Sequence, residues 1–190
     1  IAYTDMTLAS YISCLRILLI LPIIYLINQG FRLDPSFYNY LAFALFLIAG
    51  LTDYLDGYIA RKTKTETQLG ALLDLVADKL LVSIIMVWLV FIIGDIFIAI
   101  PALIIVSREL VISTLRQHII EKSSKNRLSI SFIGKSKTTI QIIGIGMLIL
   151  AQEIDEIWVL SIVAIWFAAF FSLYSFLFDN SSNNLPLDSP

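Results

Sequence analysis

Between Asp53 and Asp78 the chain sets four aspartates, an arginine and three small residues at fixed intervals: Asp53, Asp56, Gly57, Ala60 and Arg61, then Gly70, Asp74 and Asp78. The pattern, D-x2-D-G-x2-A-R-x8-G-x3-D-x3-D, lies in some of the most apolar sequence of the chain. At about 100° per residue, Asp53 and Asp56 fall within about 60° of each other on one helix, and Asp74 and Asp78 within about 40° on the next. Each helix then shows a two-carboxylate face. Four ionised carboxylates converging in a low-dielectric medium repel strongly, so either protons bind or divalent cations neutralise them. All-oxygen ligation without Cys or His favours a hard ion, Mg2+ or Mn2+. Arg61 adds a fixed cation with five donors, suited to phosphate oxygens. Gly57, Ala60 and Gly70 are small enough to let a bulky ligand approach the backbone. Together these features suggest phosphoryl transfer on a diphosphate.

At every defined position the pattern resembles the signature of the CDP-alcohol phosphatidyltransferases, integral membrane enzymes that displace CMP from a CDP-linked lipid. Ser107-Arg108-Glu109-Leu110, Leu115-Arg116-Gln117 and Gly134-Lys135-Ser136-Lys137-Thr138-Thr139 are similar to one branch of that family, the phosphatidylglycerophosphate synthases. The likeness runs from about Met6 to the last apolar helix. It implies an all-α bundle of six transmembrane helices that transfers a phosphatidyl group from CDP-diacylglycerol to sn-glycerol 3-phosphate, releasing CMP. Asp53, Asp56, Asp74 and Asp78 would hold two Mg2+ or Mn2+ ions. Asp74 and Asp78 are the expected catalytic pair, with Asp78 also the base for the acceptor proton. Gly57, Ala60, Arg61, Thr67 and Gly70 match positions that hold the CDP moiety. The resemblance also implies a homodimer.

Composition agrees with a membrane enzyme. Of 190 residues 58% are hydrophobic and 15% charged, against about 45–50% and about 25% in soluble domains; the mean hydropathy is +0.87. A net charge of −2 and clustered rather than spread cations give no reason to expect a nucleic-acid partner. The lone cysteine, Cys14, has no intramolecular disulfide partner and reads as a small packing residue.

Six apolar runs are long enough to cross about 30 Å of hydrocarbon: residues 7–28, 37–61, 68–93, 96–121, 136–152 and 156–178. Turn signals separate them, namely Asn28-Gln29-Gly30 with Asp34-Pro35, Lys62 to Glu66, Gly94-Asp95, Lys122 to Ser131, and Glu153 to Glu156. The first run is too long for a cleaved signal peptide and is expected to be a retained span. One catalytic domain over residues 1–179 and a polar, disordered tail over 180–190 account for the chain. Lys62, Lys64, Lys122, Lys125, Arg127, Lys135 and Lys137 gather on the second-to-third and fourth-to-fifth connections, with only Arg32 opposite. By the positive-inside rule the acid motif and both termini face the cytoplasm. A bacterial-type plasma membrane is expected.

Other polar residues carry two readings each. Ser10 and Ser13 hold the nucleotide, or are packed helix hydroxyls. Arg16, inside a span, needs a partner or a cavity. Lys79 reads as structural, paired with an acid or snorkelling. Arg108 and Lys135 are candidates to clamp an acceptor phosphate. Arg116, two turns beyond Arg108, is a third candidate or a surface cation. Gly134-Lys135-Ser136 fails as a Walker A motif because Ser129 stands where its first glycine belongs, and a helix start fits better. His118 has no Cys or His partner and reads as interfacial. Trp158 suits an aromatic belt, and Trp88 and Trp166 suit packing or lipid contact. The same chemistry with inositol phosphate, serine or phosphatidylglycerol as acceptor, and a divalent-ion transporter, are the rival expectations.

Overall fold

A computed structural model describes residues 8–33, 35–63, 68–122 and 132–182. Within these, the side chains of 8–10, 35–36, 53–63, 68–75, 78, 115–122, 132–137 and 176–182 lie outside the description. The architecture is all-helical: α1 Leu8–Arg32, α2 Pro35–Thr63, α3 Gln68–Ile93, α4 Ile96–Lys122, α5 Phe132–Leu150 and α6 Asp155–Ser182. Among the described residues Tyr11–Arg32, Ile96–Thr114 and Asp155–Ser175 are long and apolar enough to cross a membrane, and Phe37–Thr52, Lys79–Ile93 and Thr138–Leu150 form shorter apolar segments. The six expected runs thus correspond to six helices, three of them candidate spans.

Short connections make successive helices antiparallel. The tightest joins α3 to α4. Gly94 closes α3 with φ +68, donating its N–H to the Val90 carbonyl, and Asp95 caps α4 through Phe97 N–H to Oδ1 at 2.8 Å. The positive φ favours glycine, and the aspartate satisfies an N–H that helix geometry leaves open. Asp155 and Glu156 open α6 where the helix dipole favours negative charge.

The interior is aliphatic. Ile23, Ile27, Phe46, Leu81, Ile85, Met86, Leu89, Ile98, Ile105, Ile145 and Leu148 are almost fully buried. Outward faces are equally apolar: Leu21, Phe91, Leu103 and Phe170 are each at least two-thirds exposed. A protein that buries and exposes the same residue types is matched to lipid rather than water, so packing complementarity must hold its helices together. α6 shows how: Ser161, Ile165, Ala168, Ala169, Ser172 and Ser175 form a buried, mostly small face at helical spacing.

The boundaries shift in three places. Asn28-Gln29-Gly30, expected as a turn, is helical, and α1 runs on to Arg32. Gly30 serves packing instead: a Cβ there would collide with Asn39 Oδ1 on α2. The fifth helix begins at Phe132, so Gly134-Lys135-Ser136 falls in its first turns, as a helix start requires. The sixth reaches Ser182, so Asn180–Ser182 belong to it rather than to a tail; 183–190 lie outside the described residues.

Pro101 has a consequence visible only in three dimensions. Lacking an N–H, it leaves the Phe97 carbonyl without its helical donor. Trp166 Nε1 on α6 donates to that carbonyl at 2.9 Å. Trp166, expected only to pack or face lipid, therefore bridges two helices.

At the end of the bundle remote from the acid motif, Asn39 is fully buried and donates from Nδ2 to Glu153 Oε1 at 2.8 Å. This joins the α1–α2 hairpin to the α5–α6 turn. Gly30→Ala should push Asn39 off this bond and lower stability by about 1–3 kcal/mol, measured as thermal unfolding in detergent micelles; an unchanged midpoint would mean that the contact yields freely.

Candidate active site

α2 carries Asp53, Asp56, Gly57, Ala60 and Arg61 in its last three turns, and α3 carries Gly70, Asp74 and Asp78 in its first three. Only residues 64–67 separate the two helices, so both halves of the motif lie at one end of the bundle. Ser10 lies on α1, Arg116 on α4 and Lys135 on α5. Thr67 lies outside the described residues, as do the side chains of the other residues of the motif and of Ser10, Arg116 and Lys135. Their levels along the bundle follow from backbone register.

Helices rise by about 1.5 Å per residue, so equal steps from a contact between antiparallel helices stay level. From the contact of Gly30 with Asn39, fourteen residues along α2 reach Asp53 and fourteen back along α1 reach Arg16; seventeen reach Asp56 and Ser13. Gly50 meets Ile142, where a Cβ would lie 3.2 Å from Cδ1. Three residues from that contact are Asp53 on α2 and Thr139 on α5; six are Asp56 and Ser136. Gly144 meets Ile165 of α6, again at 3.2 Å, and ten residues on from each stand Gly134 and Ser175. One band across the bundle therefore collects Ser13 and Arg16 of α1, Asp53 and Asp56 of α2, Gly134 to Thr139 of α5, and Ser175 of α6.

The remaining helices join this band by direct bonds. Arg108 Nη2 donates to Ser175 Oγ at 3.1 Å. Arg108 Nη1 lies 3.7 Å from Glu109 Oε2, and Lys79 Nζ on α3 is 2.8 Å from Glu109 Oε1. Lys79 follows Asp78 directly in sequence, so the ion pair brings α3 to the same network. Of the two expectations for Lys79, pairing with an acid is the one observed.

Arg16 is 1% exposed and Arg108 9%. Both guanidinium groups are partnered, as buried cations in a low-dielectric medium must be. Ser13 is fully buried and partnered too. Several hydroxyls elsewhere on the helices turn back on their own chain: Thr52 bonds the Ile48 and Ala49 carbonyls, Ser107 that of Ile104, Thr114 that of Leu110 and Ser161 that of Trp158. That is how a hydroxyl is satisfied in lipid. Ser175 departs from this pattern by accepting from another helix, and Ser172 Oγ and Gln141 Nε2 are buried without a hydrogen bond.

Ser172, Ser175 and Gln141 were not singled out from sequence. The signal was available: two serines at i, i+3 on an otherwise apolar helix, and a glutamine amid isoleucines. Among the described residues no group of His, Cys, Asp or Glu has metal-site geometry; the four aspartate side chains are not among them.

A band of acids, cations and hydroxyls to which six helices contribute is an unusual feature of an apolar bundle, and it coincides with a sequence family. The model for CDP-alcohol phosphatidyltransferases matches residues 6–174. The chain belongs to this family. Among its CDP-alcohol phosphatidyltransferase relatives is a Haemophilus influenzae protein, 39% identical over 133 residues, which cover 70% of this chain and 71% of the relative. A Wigglesworthia glossinidia brevipalpis protein is 38% identical over 144 residues, covering 76% and 77%. An Escherichia coli K12 protein is 35% identical over 149 residues, covering 77% and 80%. All three are named CDP-diacylglycerol--glycerol-3-phosphate 3-phosphatidyltransferase.

The ion pair at the edge of this candidate site can be weighed directly. A double-mutant cycle on Lys79→Met and Glu109→Gln, read by thermal unfolding in detergent, should return a coupling of about 0.5–3 kcal/mol. A coupling near zero would make the pair a solvated contact.

Proposed function

We propose that this phosphatidyltransferase moves the phosphatidyl group of CDP-diacylglycerol to the primary hydroxyl of sn-glycerol 3-phosphate, giving phosphatidylglycerol phosphate and CMP. The observation that carries the proposal is the single band in which α2 sets its aspartates level with Arg16 of α1 and the start of α5, joined to Arg108 through Ser175. The names of the relatives supply donor and acceptor. The acceptor's dianionic phosphate also explains why cations beyond Arg61 are required, whereas neutral inositol or serine would not reward them.

The donor set of the motif, four carboxylates on two adjacent helix ends, fits Mg2+ or Mn2+. Asp53, Asp56 and Asp74 would hold the metal, with Asp78 completing a two-ion site. When bound, the ions supply neutralisation of charge on the diphosphate and on departing CMP. The remaining work belongs to the chain. Arg61 engages the diphosphate through its planar fork. Gly57, Ala60 and Gly70 let the nucleotide approach the helix backbones, and Thr67, Ser10 and Ser13 contribute hydroxyls around it. Arg108 and Lys135 orient the acceptor phosphate, with Arg116 further toward the surface. Asp78 takes the proton of the acceptor hydroxyl as its oxygen bonds to the lipid-bearing phosphorus. The bond from that phosphorus to CMP breaks, and its electron pair leaves with CMP.

In this proposal all six helices of one domain span a bacterial-type inner membrane, with the acid motif at the cytoplasmic face. The acyl chains stay among lipids while the head group enters. The family likeness supports a homodimer.

Purified protein in nanodiscs with labelled CDP-diacylglycerol should form phosphatidylglycerol phosphate and CMP with glycerol 3-phosphate, at an efficiency about tenfold to a hundredfold above that with serine or inositol. Equal or better turnover with a neutral acceptor would refute the acceptor assignment. Asp74→Asn should lower turnover by at least about 100-fold, and a chelator should silence the wild type. Full activity of the wild type in chelator would remove the metal.

A further inference from the structure

Arg108 is held on two sides before any ligand arrives. Ser175 Oγ accepts from Nη2 at 3.1 Å, and Glu109 Oε2 lies 3.7 Å from Nη1. Glu109 is itself anchored by Lys79 at 2.8 Å. Four side chains from α3, α4 and α6 thus form one row: Lys79, Glu109, Arg108 and Ser175. The Arg108 side chain is 8% exposed, and Ser175 is 3% exposed. The Ser175–Arg108 bond is therefore shielded from competing water, and most described hydroxyls of these helices make no such cross-helix bond.

An arginine side chain carries much rotameric freedom, and a ligand that must freeze it binds less tightly. A guanidinium already fixed in its plane spares the ligand that cost. We propose that Ser175 is a positioning residue for the acceptor: its hydroxyl fixes the plane of the Arg108 guanidinium, so that the acceptor phosphate meets a pre-set fork. The inference rests on the assignment of Arg108 to the acceptor phosphate made above. Glu109 restrains the other nitrogen, and because Lys79 shares that carboxylate, Glu109 does not draw the full charge of Arg108.

The test is steady-state kinetics of Ser175→Ala and Ser175→Thr in nanodiscs, varying each substrate separately. Ser175→Ala should raise KM for glycerol 3-phosphate about three- to tenfold, with kcat at saturating acceptor and KM for CDP-diacylglycerol unchanged. Ser175→Thr, which retains the hydroxyl, should restore the wild-type KM. Should Ser175→Ala not yield folded protein, Ser175→Cys keeps the size and weakens the acceptor atom, and the same split is expected. Unchanged KM for glycerol 3-phosphate in Ser175→Ala, or equal losses for both substrates that follow thermal stability, would overturn the positioning role alone. A wild type that does not turn over glycerol 3-phosphate would overturn the acceptor assignment and this inference together.

Discussion

A charge in a medium of low dielectric persists only where opposite charge or hydrogen bonds have been set beside it. That constraint organises one end of this bundle. Arg16 and Arg108 are buried, Lys79 and Glu109 are mostly buried, and none of them stands apart from a partner. The α2 aspartates share a level with Arg16, so removing the cations from such a band would leave the acids as uncompensated charge, and removing the acids would strand the cations.

The constraint also explains why the opposite end is built differently. There Asn39 donates to Glu153, and the close approach at Gly30 does the packing. Between the two ends the interior is almost wholly aliphatic. Where water does not drive helices together, shape does: Gly144 of α5 lets Ala164 and Ile165 of α6 come close, and Gly146 admits Phe43 of α2.

Much of this was legible in the sequence. Asp53 to Asp78 announced itself because acids at helical spacing within apolar runs have few physical explanations, and the six helices followed from run length. Gly94-Asp95 marked its turn correctly, since a left-handed residue followed by a capping aspartate is a local device. Asn28-Gln29-Gly30 misled for the complementary reason: its glycine answers a contact with Asn39, nine residues away on the next helix, and nothing local records that. Ser175 was overlooked for the same cause. A serine on an apolar helix usually bonds its own backbone, and only the neighbouring helix shows that this one does not. Lys79 lay between these cases, its need for an acid readable but its partner thirty residues distant.

The bond from Trp166 to the Phe97 carbonyl makes a pair with that from Arg108 to Ser175. Both join α4 to α6, and they stand eleven positions apart on α4 and nine on α6. Two rungs about three turns apart fix one helix against the other in rotation as well as in height, which a single rung cannot do. The first rung exists because Pro101 has no proton to give. Any other residue at that position would offer the Phe97 oxygen a donor from within α4 and compete with the indole. Phe97, Pro101, Arg108, Trp166 and Ser175 therefore form one mechanical unit, a ladder whose far rung carries the guanidinium. A change at the proline would be felt as a twist at the arginine.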